Sequence, residues 1–399
     1  MTRPPLRSPL TGVRVLDMTR VVSGPVVGRA LADLGADVVK LEPPDGDVTR
    51  LWGEERHGIA GFFLQQNAGK RNVCIDMKAA GAVDLVHQLA GVVDVLVENF
   101  RPGVRDRLGI TWEALAARNP RLVMASISGF GQEGPHAQRP AYASIIHAES
   151  GVIGRLAALD RRSPTDPIVS IADYDSGLHA TIAILAALLQ ARATGIGDRI
   201  DIAMIDAMLG TDDYIHHAID ASPIRRLSGE YWRLADGGYI VIAGYLHHVF
   251  KRLADLYGID DGLPDDAGIT HEASLDAKTA ARRTAVAAFI ASFEDRPGLF
   301  TVLDAAGLPW GELKTPAEAI VSPTARHRGT VAEVDDGAGG TRGVIQLPYR
   351  FRASQSGVRG RSAALGEHNA EVLTEWLGLE GAEVERLAAT GILRTSSRA

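Results

Sequence analysis

Val13-Arg14-Val15-Leu16-Asp17, Val21-Val22-Ser23-Gly24-Pro25 and Ala36-Asp37-Val38-Val39-Lys40-Leu41-Glu42 follow one another near the start of the chain. The first and third are short β-branched runs, the signature of buried strands. The second is a turn into a helical pattern that runs from Val26 to Leu34 and stops at Gly35, a residue suited to the left-handed position past a helix end. Strand, helix and strand within about 30 residues make a β-α-β unit, which implies a parallel sheet with right-handed crossovers.

The alternation continues. Strands are expected at Asn72–Asp76, Val92–Glu98, Arg121–Ser128 and Arg199–Met204, with helices at about Gly81–Leu89, Trp112–Ala117 and Asp206–Ala221, the last ending at Pro223. The chain is therefore α/β. Side chains at the carboxyl edge of such a sheet face its ligand crevice. Glu98-Asn99-Phe100-Arg101-Pro102-Gly103 lies at that edge, with Arg105 and Arg107 just beyond. Those arginines suit a phosphate-bearing ligand as well as a solvated helix face. A dinucleotide site is disfavoured, because Gly24 and Gly28 do not complete the G-x-G-x-x-G turn. Pro43 to Gly69 reads as a long polar loop carrying Phe62 and Phe63, and Gly129-Phe130-Gly131-Gln132-Glu133-Gly134 as a loop whose backbone can approach a ligand closely. An apolar stretch to Gly154 reads as a helix lining the site.

Ser170-Ile171-Ala172-Asp173-Tyr174-Asp175-Ser176-Gly177 precedes the apolar run Leu178 to Gln190. A strand over Pro167–Ile171 would deliver Asp173 to the start of a helix, where free N–H groups and the macrodipole stabilise an anion. Asp173 then has two readings, a nucleophilic carboxylate or part of an ordinary helix start capped by Asp175 or Ser176.

From about Arg226 the pattern changes to two strands about Asp236-Gly237-Gly238, then helices to Ile320 with an acidic loop at Asp260–Gly268: a smaller α+β domain. Strand patterns return at Val331–Val334 and Val344–Leu347, and a last helix at Ala370–Leu377. The expected division is 1–225, 226–325 and 326–399. The formal charge of −7 gives no basic footprint for nucleic acid, so the partner is expected to be a small molecule. One cysteine, Cys74, rules out an internal disulfide and fits a reducing, cytoplasmic setting. Residues 1–9 read as a disordered lead with no apolar segment after Arg3 and Arg7, and no uninterrupted apolar run is long enough to span a bilayer, so neither secretion nor membrane insertion is expected.

Taken together, Leu10-Thr11-Gly12-Val13, Leu34-Gly35-Ala36-Asp37, Asn67 to Asp76, Val97 to Gly103, Ser128-Gly129-Phe130-Gly131, Ala172-Asp173-Tyr174 and Leu365-Gly366-Glu367-His368 make the chain resemble the class III coenzyme A transferases, a family that also holds acyl-CoA racemases. The resemblance implies a Rossmann-like large domain completed by the C-terminal segment, an inserted small domain, and two subunits interlocked as a homodimer. It implies Asp173 as the nucleophile that takes the acyl group from an acyl-CoA, with a carboxylic acid as acceptor. CoA is then a substrate, and no tightly bound cofactor or metal is expected. The positions implied to hold CoA are Arg20, Val21, Met77, Asn99, Phe100, Arg107 and Tyr142, with Lys70 and Arg71 as further cations. Pro43 stands where the family has a phosphate-contacting arginine, leaving Arg101 or Arg139 to replace it. Gly129–Gly134 is the local candidate for oxyanion binding.

Two departures point away from formyl and oxalate chemistry and toward a bulkier or less polar acyl group. Only Gly237-Gly238 stands where that branch has four glycines, and Val22 stands where it has a glutamine. The alternative is racemisation at the α-carbon, but Tyr142-Ala143 stands where the racemases have their His–Asp base, and His147 is expected to be a core or surface residue rather than a substitute. His247 and His248 are assigned no role.

Overall fold

The computed structural model describes residues 7–222, 229–263 and 272–395. The expected lead up to residue 6, the turn at Pro223, the boundary near 225 and most of the acidic 260–268 loop lie outside them. The chain forms two units, Met1–Ile215 with Thr324–Ala399, and His216–Pro323.

In the larger unit the chain runs β1 (Arg14–Asp17), α1 (Ser23–Asp33), β2 (Asp37–Glu42), a small hairpin of β3 (Glu55–Arg56) and β4 (Ile59–Ala60), α2 (Gly61–Asn67), β5 (Arg71–Cys74), α3 (Ala82–Ala90) and β6 (Val95–Glu98). It continues through α4 (Val104–Arg107), α5 (Trp112–Arg118), β7 (Val123–Ser128), α6 (Ala143–Glu149), α7 (Val152–Asp160), α8 (Ile171–Thr194), β8 (Asp198–Ala203) and α9 (Met204–Thr211). Six strands form one parallel sheet in the order β5-β2-β1-β6-β7-β8. From β1 the chain first builds outward through β2 to β5, then crosses over to β6 on the other side. The order thus reverses between β1 and β6, and a crevice opens there at the carboxyl ends of the strands.

Why these residues make strands is visible in their burial. Val15, Leu16, Val38, Val39, Leu96 and Val97 are fully or almost fully buried, as a sheet covered on both faces requires. One face packs under α3, α5 and the C-terminal helix Asn369–Leu377, and the other under α1 and α8. The C-terminal segment completes the sheet's outer side. Asn369 Oδ1 accepts the Cys74 N–H at 2.9 Å, the His368 N–H donates to the Asn72 carbonyl at 3.0 Å, and Ile75 bridges to Leu393. This covers the β5 edge that would otherwise be open to pairing. Cys74 itself is fully buried, and burial pushes its thiol up to about 12.

Three local expectations are corrected. Pro167–Ile171 is not a strand: the place beside β7 is taken by β8, so the segment has no partner ladder and leaves Ile168 and Val169 exposed. The 43–69 stretch is not a bare loop, because α2 buries Phe63 and Leu64. The 206–221 helix is broken in two, into α9 and Ile215–Ile219. A second C-terminal helix, Gly381–Ala389, was not anticipated.

α8 has the length and composition of a bilayer-crossing helix, although His179, Gln190 and Arg192 interrupt its apolar run. One flank packs on α1, α9 and β7, while Leu178, Ile182 and Leu189 on another are exposed.

The smaller unit is a three-stranded antiparallel sheet, Trp310–Glu312, Tyr239–Ile242 and Glu230–Arg233, packed with helices Leu246–Tyr257, Glu272–Ala291 and Arg296–Ala305. Gly237 and Gly238 lie in its hairpin turn, Gly237 at φ 86°, where a side chain would be strained. His247 meets Arg282, and His248 is exposed.

Candidate active site

Asp173 sits in the first turn of α8, 8 % exposed. The expected caps, Asp175 and Ser176, are not caps: α8 begins at Ile171, so both lie inside it, and Ser176 Oγ donates back to the Asp173 carbonyl at 3.0 Å. Ser170 makes no side-chain cap either. That service comes from α6. The Ala172 N–H donates to His147 Nε2 at 3.1 Å, and His147 Nδ1 lies 2.8 Å from Asp166 Oδ1. Because Nε2 accepts, the ring proton is on Nδ1 and is donated to Asp166. His147 is fully buried, and both nitrogens are occupied.

The start of α1 faces the same carboxylate. Burial pushes Asp173 up to about 6, opposed by hydrogen bonds from the Ser23 hydroxyl and backbone N–H. The helices can approach this closely because residue 177 is glycine. A Cβ there would stand 2.8 Å from the Ser23 carbonyl oxygen and 3.0 Å from Val26 Cγ1.

The turn from β1 into α1 is held by a buried polar network. Asp17 accepts from the Thr19 N–H at 3.0 Å and from Lys70 Nζ at 2.7 Å; Lys40 Nζ donates to the Thr19 carbonyl at 2.6 Å and pairs with Asp47 at 3.2 Å. Burial acts to raise the Asp17 carboxyl, but Lys70 and Lys40 outweigh it and hold it below its ordinary range. Burial pulls Lys70 down to about 8, with Asp17 opposing. Asn99 clamps the turn to β6, accepting the Arg20 N–H at 2.9 Å and donating to the Arg20 carbonyl at 2.8 Å. Val21, at φ 70°, is in a region that β-branched residues rarely enter, and its N–H donates to the Asp47 carboxylate.

Two cavities meet at Asp173 and share Val21, Val48 and Tyr142. The first, about 480 Å³, lies at the crevice over β1, β6 and β7 and is lined on its cationic side by Arg20, Arg101 and Arg139, with Asn99 and Phe100 between them. The second, about 540 Å³, runs the other way toward Trp52, Phe62, His147 and Ile168.

Of the residues expected to hold CoA, Arg20, Val21, Asn99, Phe100 and Tyr142 line the first cavity. The other four do not. Lys70 is buried under Gly28 against Asp17, and Arg71 is engaged by Asp37, Glu371 and Glu375 on the outer side of the sheet. Met77 packs against the core beneath α3, and Arg107 is exposed on α4. Both cations proposed in place of the missing arginine, Arg101 and Arg139, are in the lining. Gly129 lines it too, and beside it the Ser128 hydroxyl is buried with no hydrogen-bond partner among the described residues. Sequence reasoning gave Ser128, Asp166 and Trp52 no role. Only the motif around Ser128 carried a signal, since Asp166 reaches the site through the fold of a segment without regular structure.

Among the described residues no cluster of ligating side chains could hold a metal ion. The model of CoA-transferase family III matches residues 10–369. The chain is 32 % identical to a succinyl-CoA–D-citramalate CoA-transferase of Chloroflexus aurantiacus, over 98 % of this chain and 99 % of the relative. It is 31 % identical to a succinate–glutarate CoA-transferase of Agrobacterium fabrum, over 93 % and 96 %. Among solved structures it resembles a CaiB/BaiF family protein from Brucella suis, with TM-score 0.78 and 32 % identity, covering 93 % of this chain and all of that one.

Proposed function

The chain belongs to CoA-transferase family III, and on that premise we propose that it moves CoA from an acyl-CoA to a carboxylic acid through covalent intermediates on Asp173. The observation that carries this is the position of Asp173, a desolvated carboxylate at the junction of a cationic cavity and an apolar one. CoA would lie in the first, its phosphates against Arg20, Arg101 and Arg139.

An Asp173 oxygen attacks the thioester carbon, the C–S bond breaks, and a mixed anhydride and CoA thiolate result. The thiolate attacks the aspartyl carbonyl, expelling the donor carboxylate and leaving an aspartyl–CoA thioester. The acceptor carboxylate attacks that carbonyl and releases the thiolate, which finally takes the acceptor's acyl group and frees Asp173. Burial favours the two attacks made by carboxylates, because a carboxylate stripped of water is a stronger nucleophile. The Ser23 N–H and hydroxyl and the Ser128 hydroxyl are the donors at hand for the oxyanions.

Racemisation is not favoured. Tyr142 replaces the expected histidine, and His147, with both nitrogens engaged, has no free atom to carry an α-proton. We further propose a homodimer, interlocked as in the family, in which the exposed Leu178–Ile182–Leu189 face of α8 is covered by a second copy, and a reducing, cytoplasmic setting suited to the single thiol. Incubation with acyl-CoA, trapping with hydroxylamine and peptide mass spectrometry should find a hydroxamate at Asp173. If Asp173 is never modified and Asp173→Ala keeps full activity, the mechanism is wrong.

A further inference from the structure

The second cavity has a chemistry of its own. Its walls are mostly apolar, with Val21, Val22 and Val48, the rings of Trp52 and Phe62, and Ile168 at the rim, while Tyr142, Ser144 and Ser170 add uncharged hydroxyls. Among the described residues no arginine or lysine lines it, and the charged groups that do are the carboxylates of Asp166 and Asp173. His147 is the one other ionisable wall group besides Tyr142, and it cannot serve as a counter-ion: Nε2 accepts the Ala172 N–H, and the Nδ1 proton is held by Asp166. With the cations proposed to bind phosphate in the first cavity, a thioester carbonyl at Asp173 directs the acyl chain into this second space, the other described cavity that Asp173 lines. At about 540 Å³ it is within the size range of small-molecule sites.

We infer that this chamber takes the acyl group and selects apolar monocarboxylic acids, aliphatic or aromatic, against dicarboxylic ones. The inference rests on the transferase reading above. A distal carboxylate would lose its water against valine and tryptophan, find no cation, and face Asp166. A terminal methyl in the same place loses nothing by desolvation.

The test compares thioesters of equal carbon number on the intact protein, butyryl-CoA with succinyl-CoA and valeryl-CoA with glutaryl-CoA, reading kcat/KM and the yield of Asp173 hydroxamate. The apolar member of each pair should lead by about 100-fold or more, as expected when a buried charge is left unpaired. Ile168→Arg, at a fully exposed rim position that can accept the change without refolding, should raise glutaryl-CoA at least about tenfold relative to valeryl-CoA. Equal or better use of the dicarboxylates overturns the selectivity, and an unchanged ratio in Ile168→Arg overturns the placement of the acyl chain. In either case hydroxamate at Asp173 would leave the transferase reading standing. Hydroxamate from no thioester at all would remove that reading and this inference with it.

Discussion

Asp173 ionises near 3.8 in the open chain and at about 6 in the fold. Transfer needs the anion, so kcat/KM should rise with pH to a plateau above about 6, a limb absent from any residual activity of Asp173→Asn. The stability consequence has the opposite sign. The folded chain binds this proton more tightly than the unfolded one, so the group's contribution is intact below about pH 4 and is lost as pH climbs through about 6. Asp173→Asn should therefore be the more stable protein at pH 7, by roughly 1–3 kcal/mol in urea titrations. A loss of stability would show that the anion is better solvated than its burial implies. His147 is the second residue to test. Gln offers an oxygen to the Ala172 N–H and an amide to Asp166, so His147→Gln should keep kcat within about tenfold, whereas His147→Leu, which leaves the helix start bare, should lose about 100-fold in kcat with little change in KM. Equal behaviour of the two variants would make the ring mere packing. Asp173 was legible in the sequence because its motif is local. The histidine that completes its helix start was not, because it comes from another helix 25 residues earlier and cap motifs are read only from neighbours.

Helices α1 and α8 meet at Gly177. Alanine would gain roughly 1 kcal/mol in helix propensity, but its Cβ would overlap the Ser23 carbonyl, and every residue of α1 is buried, so α1 cannot retreat without parting from the sheet. Overpacking of this kind costs about 1–3 kcal/mol, so the clash should win. Gly177→Ala should melt earlier and lose activity through the displaced Ser23 N–H, and a raised Tm would refute the contact. The β-α-β opening was readable to within a few residues because each strand has a β-branched or leucine core, Val15-Leu16 and Val38-Val39, and its helix ends at a glycine. Pro167–Ile171 has the same β-branched texture and misled for a reason outside itself: β8 already fills the ladder position beside β7. Lys70 and Arg71 misled likewise, since a cation beside a strand looks alike whether it faces a ligand or pairs with an aspartate of the fold.

For the whole molecule, the exposed apolar line along α8 is the feature a single copy leaves unexplained. Ile182→Asp, at the middle of that line and 65 % exposed, should leave far-UV circular dichroism unchanged while shifting sedimentation toward the monomer. A dimer that persists would place the contact elsewhere. Which two acids are exchanged was beyond the sequence, because chamber walls come from residues 21 to 173 and become neighbours only in the fold. The burial of Cys74 in the outermost strand has a practical side. With its only thiol shielded and held protonated, the native protein should be silent to disulfide-exchange dyes, so colour in such an assay counts free CoA alone. Colour that develops slowly without substrate would instead clock the rate at which the C-terminal segment peels from the sheet.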